Sequence, residues 1–158
     1  MAISGINTFL WFETDALQAA EYYCALFPGA KILSIDYYPE GSGELSGLPL
    51  TVGFELFGTS FVAINGGPGH PHSDAVSFQI FCDTQDEIDL VWETLIRDGG
   101  EGGWCGWCKD RWGVSWQVIP RRLRELLGDP ATAGTIFPLM RTIRKFDIDE
   151  LNKAVGLS

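Results

Sequence analysis

The chain has 158 residues, 46% of them hydrophobic and 20% charged, with six Trp and ten Phe. That is apolar material for one compact domain, or for two small halves sharing a core, and it excludes disordered and collagen-like classes. Eleven basic against 21 acidic residues give a net charge of −10, a field that repels phosphate backbones and anionic lipid, so neither nucleic acid nor a membrane surface is expected as a partner.

The charge is uneven: residues 1–120 carry 4 basic and 16 acidic side chains, residues 121–158 carry 7 and 5. The tail therefore reads as a separate element. No basic and apolar leader opens the sequence and no run approaches a bilayer-spanning length, which predicts a soluble, cytoplasmic protein. Cys24, Cys82, Cys105 and Cys108 are too few for a disulfide scaffold and are expected to be reduced.

Residues 5–12 form a β-prone run, followed from Ala16 to Phe27 by apolar positions at helical spacing, which Pro28-Gly29 ends. Strands are predicted at 31–38, 50–57 and 60–65, the last two a hairpin turning at Gly58-Thr59, with a loop at 39–49. The pattern then restarts. Residues 75–82 read as a strand, Thr84 and Glu87 as a capping box, and Ile88 to Ile96 as an amphipathic helix ending at Gly99-Gly100.

A shift of 70 places Thr14 on Thr84 and Gly29 on Gly99, and a shift of 55 places Phe57-Gly58 on Trp112-Gly113 and Phe61 on Trp116. The second copy is thus 15 residues shorter between its helix and last strand, by a trimmed loop or strand. Two βαβββ units, each with a sheet apolar on one face, are expected to pair through those faces around a cleft. Residues 121–128 and 131–155 read as appended helices, with Pro138 breaking or starting one of them.

The segments LWFETDALQAAEYYCALFPGAKI, NGGP at 65–68, SFQIFCDTQDEIDLVWETL, CGW at 105–107, KDRWGVSWQVIP and the terminal KFDIDELNKA, spread over nearly all of residues 3–155, resemble the vicinal oxygen chelate superfamily of glyoxalases, bleomycin-resistance proteins and extradiol dioxygenases. Within it they are similar to the PhnB-like, demethylubiquinone methyltransferase-like subgroup. The resemblance implies an α+β fold of two βαβββ modules forming a curved open sheet, at residues 3–66 and 74–120, with a helical extension at 121–158 in the same structural domain. It also implies a homodimer.

Metal enzymes of that superfamily hold their ion at the first and last strand of each module, positions that fall here on Asn7, Val62, Ser77 and Gln117. Such a set offers no anionic or imidazole ligand, and no firmly held divalent metal and no other cofactor is expected. A methyltransferase needs a Gly-rich loop leaving a parallel strand, and none of the Gly-rich runs here has that form.

Strand parity aligns Ser77, Gln79 and Phe81, and places Gln117 on a face with Ser115 and Ile119. A cleft with Asn7, Ser77, Gln79 and Gln117 and aromatic walls suits a neutral, partly apolar organic ligand; equally, these groups satisfy one another inside a closed core. A binding or sequestering module is the first expectation. The alternatives are a lyase, isomerase or other metal-assisted enzyme, with Glu13, Glu55 or Cys105 as proton-transfer candidates, and a thiol-redox protein through Cys105 and Cys108. His70 and His72 share a Gly/Pro-rich linker read as solvated. Cys105 and Cys108, if both on the strand before Lys109, point apart and stay free thiols unless the chain turns at Gly106.

Overall fold

The structure is a computed structural model, which describes residues 4–157. The chain forms two compact units, 1–71 and 72–158. In the first, β1 (Thr8–Phe12), α1 (Ala16–Leu26), β2 (Lys31–Tyr37), β3 (Pro49–Leu56) and β4 (Thr59–Asn65) make a mixed sheet ordered β1-β4-β3-β2, with β1 and β4 parallel. The second unit repeats the plan with β5 (Phe78–Cys82), α2 (Gln85–Leu95), β6 (Glu101–Gly102), β7 (Trp107–Lys109) and β8 (Ser115–Pro120), ordered β5-β8-β7-β6. It then adds α3 (Arg121–Gly128), α4 (Pro130–Met140) and α5 (Ile148–Ala154). Two four-stranded open sheets with five α-helices make the α+β, glyoxalase-like fold.

The repeat is exact at the level of register. Thr8 pairs with Phe61 in the first sheet and Phe78 with Trp116 in the second, the same two positions moved by the shifts of 70 and 55. Each helix covers one sheet face. Leu10, Phe12, Val52, Phe54 and Ala63 are buried on the α1 side, and Ile80, Cys82, Cys108, Trp116 and Val118 on the α2 side, as period-two alternation requires.

Several boundaries differ from the sequence reading. β1 begins at Thr8 and β5 at Phe78, so Asn7 and Ser77 each precede a strand instead of lying within it. The β3–β4 hairpin turns at Phe57-Gly58, both with positive φ (49° and 77°), rather than at Gly58-Thr59. No strand of the second unit is missing: strands and loop are both trimmed, β6 having two residues against seven in β2, β7 three against eight in β3, and the connection between them running over 103–106 where the first unit uses 38–48. Pro138 neither starts nor breaks a helix. It sits in the last turn of α4, and the break falls at residues 141–147, before Asp147 caps α5 by accepting from the Glu150 N–H at 3.0 Å.

Cys105 is not on a strand. With φ of 58° it forms, with Gly106 at 76°, the two-residue turn between β6 and β7, closed by the Trp107 N–H on the Trp104 carbonyl at 3.0 Å. Two left-handed residues match the twist of the flanking strands. The second position needs glycine for a further reason: a Cβ there would lie 2.6 Å from the Val118 carbonyl and 2.7 Å from the Phe146 ring.

The three C-terminal helices close a second core of Ile119, Leu123, Leu126, Ile136, Ile143, Phe146 and Leu151, with Phe81 packed against it. Ile119 and Phe81 pair in register on the face of β8 and β5 turned away from α2. The extension therefore takes up one end of that face.

Candidate functional site

In the second unit, the sheet face distal to α2 is polar along two adjacent rungs. On the first, Gln79 pairs with Gln117 and Gln117 with Trp107. The Gln117 amide donates to Ser77 Oγ at 2.8 Å, and the Gln79 amide donates to Gln117 Oε1 at 3.0 Å. On the second rung, Ser115 Oγ donates to Asp74 Oδ1 at 2.7 Å, and Lys109 Nζ meets the same oxygen at 3.2 Å. The Ser115 hydroxyl first, and then Lys109, hold the Asp74 carboxyl below the usual carboxylate range.

Beside these rungs lies a pocket of about 430 Å³ bounded by Asp74, Glu101, Gly103, Trp104, Trp107 and Lys109, within the size range of small-molecule sites. Phe81 and Ile119, under the C-terminal helices, bound the face at the other end. Of the four polar residues expected to form a site, three thus come together as one hydrogen-bonded chain. Ser77 and Gln117 are half-buried and Gln79 is exposed. The fourth, Asn7, is exposed in the first unit. Trp107 was not singled out by the sequence, although the CGW motif contains it.

The proton-transfer candidates are placed differently. Glu55 is ion-paired with Lys31 at 3.2 Å, on the face of β3 away from α1. Glu13 borders a separate pocket of about 410 Å³ in the first unit, with Leu17, Tyr38, Leu48 and Asn65. Cys105 is half-buried in its turn. Cys108 is 3% exposed, and burial, followed by the nearby Asp110, pushes its thiol up to about 12, which disfavours the thiolate that redox exchange requires. His70 is not simply solvated: its ring lies 4.4 Å from that of Trp11, whose indole N–H donates to the Gly67 carbonyl at 2.8 Å.

The donor chemistry does not fit a divalent metal. Among the described residues no group of three His, Cys, Asp or Glu side chains converges, and the amides of Gln79 and Gln117 are turned toward each other and Ser77. Nor do the connections fit a nucleotide-like methyl donor. The chain passes from β1 to α1 through Glu13-Thr14-Asp15 and from β5 to α2 through Asp83-Thr84, with no glycine to admit a close backbone approach and with acids where an anionic group would sit.

Residues 4–119 match the family described as 3-demethylubiquinone-9 3-methyltransferase. Among solved structures, a PhnB protein from Bacillus cereus is 32% identical over 74% of this chain and 99% of its own, with a TM-score of 0.67. A Pseudomonas aeruginosa protein (17% identity, 75% and 98% coverage, TM-score 0.61) and an Arabidopsis thaliana gene product (17%, 75% and 99%, 0.52) share the fold. None of the curated proteins compared with the chain matches it. Among the described residues no helix is long and apolar enough to cross a membrane.

Proposed function

The chain belongs to the 3-demethylubiquinone-9 3-methyltransferase family, in the PhnB-like branch of the vicinal oxygen chelate superfamily, and from that premise we propose that its second unit binds a small, neutral, partly apolar organic molecule without a divalent metal. The observation that carries this reading is the hydrogen-bonded chain Ser77–Gln117–Gln79 running beside Trp107 and the 430 Å³ pocket. Carboxamides and a hydroxyl recognise uncharged hydrogen-bonding groups, and the indole supplies apolar area. Fixing Gln117 at both ends of its amide lowers the ordering cost on binding.

The family's descriptive name implies methyl transfer, which the connections after β1 and β5 do not support. The binding reading is tested by native mass spectrometry and elemental analysis of protein purified without chelator or added metal. The expected result is a copurifying organic molecule and far less than one transition metal per chain; near one zinc, iron, manganese or nickel per chain sinks the metal-free part. Gln117→Ala is expected to weaken binding of that molecule about tenfold with little change in unfolding midpoint. Asn7→Ala, measured beside it, tests whether Asn7 of the first unit takes any part in binding.

The same reading extends to a cytoplasmic homodimer. The superfamily resemblance supports the dimer, and four cysteines that form no disulfide among the described residues suit a reducing compartment; sedimentation of the intact protein at micromolar concentration tests the former.

A further inference from the structure

Arg144 lies beyond the region matched by the family, which stops at residue 119. The Bacillus cereus chain, matched over 99% of its length by 74% of this one, likewise leaves about a quarter of this chain without a counterpart. Yet the segment around Arg144 is tied to the hairpin whose Trp104 and Trp107 line the pocket. The Cys105 N–H donates to the Ile143 carbonyl at 2.7 Å and the Gly106 N–H to the Arg144 carbonyl at 2.8 Å, so the tip of the β6–β7 hairpin is hydrogen-bonded to the extension. Phe146 fills the space that a Gly106 Cβ would need.

The segment is itself anchored on α2. Gln85 acts as a two-pronged tether, its amide donating to the Phe146 carbonyl at 3.2 Å and its oxygen accepting from the Ile148 N–H at 3.0 Å. Lys145 Nζ is 2.7 Å from Asp89 and 3.6 Å from Glu93. From this anchored backbone the Arg144 guanidinium lies over the Trp104 indole, Cζ 4.7 Å from the ring centroid. Arg144 itself is exposed and pairs with no carboxylate among the described residues. Trp104 borders the pocket and is 54% exposed, so the guanidinium stacks on a ring that half faces solvent.

We propose that Arg144 is a positioning residue of the binding face: by stacking on Trp104 it holds one wall of the pocket in place, so that the C-terminal extension sets how tightly the face takes a flat ligand. The inference rests on the binding function proposed above. A planar guanidinium over an indole is a favourable cation–π arrangement. An indole already held loses less freedom when a ligand arrives. Because the clamp on the turn runs through main-chain groups of residues 143 and 144, replacing the Arg144 side chain leaves the turn tied and removes only the stacking.

The test compares the intact protein with Arg144→Ala and Arg144→Lys by NMR, with the Trp104 indole N–H assigned through Trp104→Phe. Benzamide, a neutral planar carboxamide, is the probe. The expected result is a Trp104 indole that is ordered in the parent, mobile in Arg144→Ala and partly restored by Arg144→Lys. Benzamide affinity should fall about twofold to tenfold in Arg144→Ala with an unchanged thermal midpoint. A Trp104 indole equally ordered in parent and Arg144→Ala, or equal benzamide affinity in the two, overturns the role of Arg144. If benzamide leaves the Gln79 and Gln117 side-chain amides of the parent unshifted, the binding reading fails separately, and Trp104 order alone then decides the positioning role.

Discussion

At the scale of single residues, Asn65 shows how one side chain joins three parts of the first unit. Its Oδ1 accepts from the Ala16 N–H at 2.7 Å, satisfying one of the free donors at the start of α1, while its amide donates to the Pro49 carbonyl at 2.9 Å. Its own carbonyl accepts from the Tyr38 hydroxyl at 2.6 Å. The N-cap residue of α1, Asp15, makes no side-chain cap of its own. Asn65→Ala should therefore cost about 1–2 kcal/mol, the range of a lost helix cap. Asn65→Asp, which keeps the acceptor and loses the donor, should fall between. Urea unfolding with an unchanged slope would show this as a lowered midpoint; an unshifted midpoint would mean that water replaces the cap. The next residue accounts for the first glycine of the NGGP segment: a Cβ on Gly66 would fall 2.1 Å from the Trp11 ring, so glycine is what lets that indole lie on the backbone.

At the scale of elements, the second helix is capped differently from the first, because the position of Asn65 in the repeat is occupied by Pro120, which has no side-chain acceptor. Thr84 takes over. Its hydroxyl accepts from the Glu87 N–H at 3.2 Å, and Glu87 Oε2 accepts from the N–H groups of Asp83 at 2.7 Å and Thr84 at 3.1 Å. These two backbone donors, Asp83 first, hold the Glu87 carboxyl below its ordinary range. A carboxyl whose folded value is depressed contributes stability above its unfolded value and loses it as pH falls through the folded one. Glu87→Gln should thus be slightly less stable than the parent at pH 7, by about 0.5 kcal/mol because the group is solvated, and the two should converge in acid. Thermal unfolding at pH 7 and at pH 3 tests this, and a gap that persists in acid would assign the effect to something other than the charge.

The capping box and both helices were legible in the sequence because they are periodic and local, and the repeat was legible because its two shifts are the strand registers themselves. What escaped was short or non-local. β6 has two residues and leaves no alternation to read; Cys105-Gly106 looks like a continuing strand until its left-handed turn is seen; and Trp107 becomes a wall of the site only through pairing with Gln117 across ten residues of chain. The hydrogen-bonded chain Ser77–Gln117–Gln79 was half legible. Parity aligned its members, but parity gives neither the start of β5 nor the direction of an amide.

At the scale of the whole molecule, the C-terminal helices are part of the second unit's core rather than an appendage to it. Phe146 is 1% exposed, within the cluster that includes Ile119 of β8, and it meets the Gly106 turn between β6 and β7. A decorative extension would melt by itself when cut loose; one that shares its core with β8 should take the sheet with it. Phe146→Ala opens a cavity in that shared core and should cost about 3–5 kcal/mol, a large share of the 5–15 kcal/mol typical of a whole domain. Native-state hydrogen exchange distinguishes the two cases. The expected outcome is loss of protection together in α3, α5, β7 and β8, because Phe146 bridges them. Loss confined to residues 121–154, with the amides of 115–119 as protected as in the parent, would show that the extension is energetically separate and would leave the hairpin tip at Trp104 held by its own turn alone.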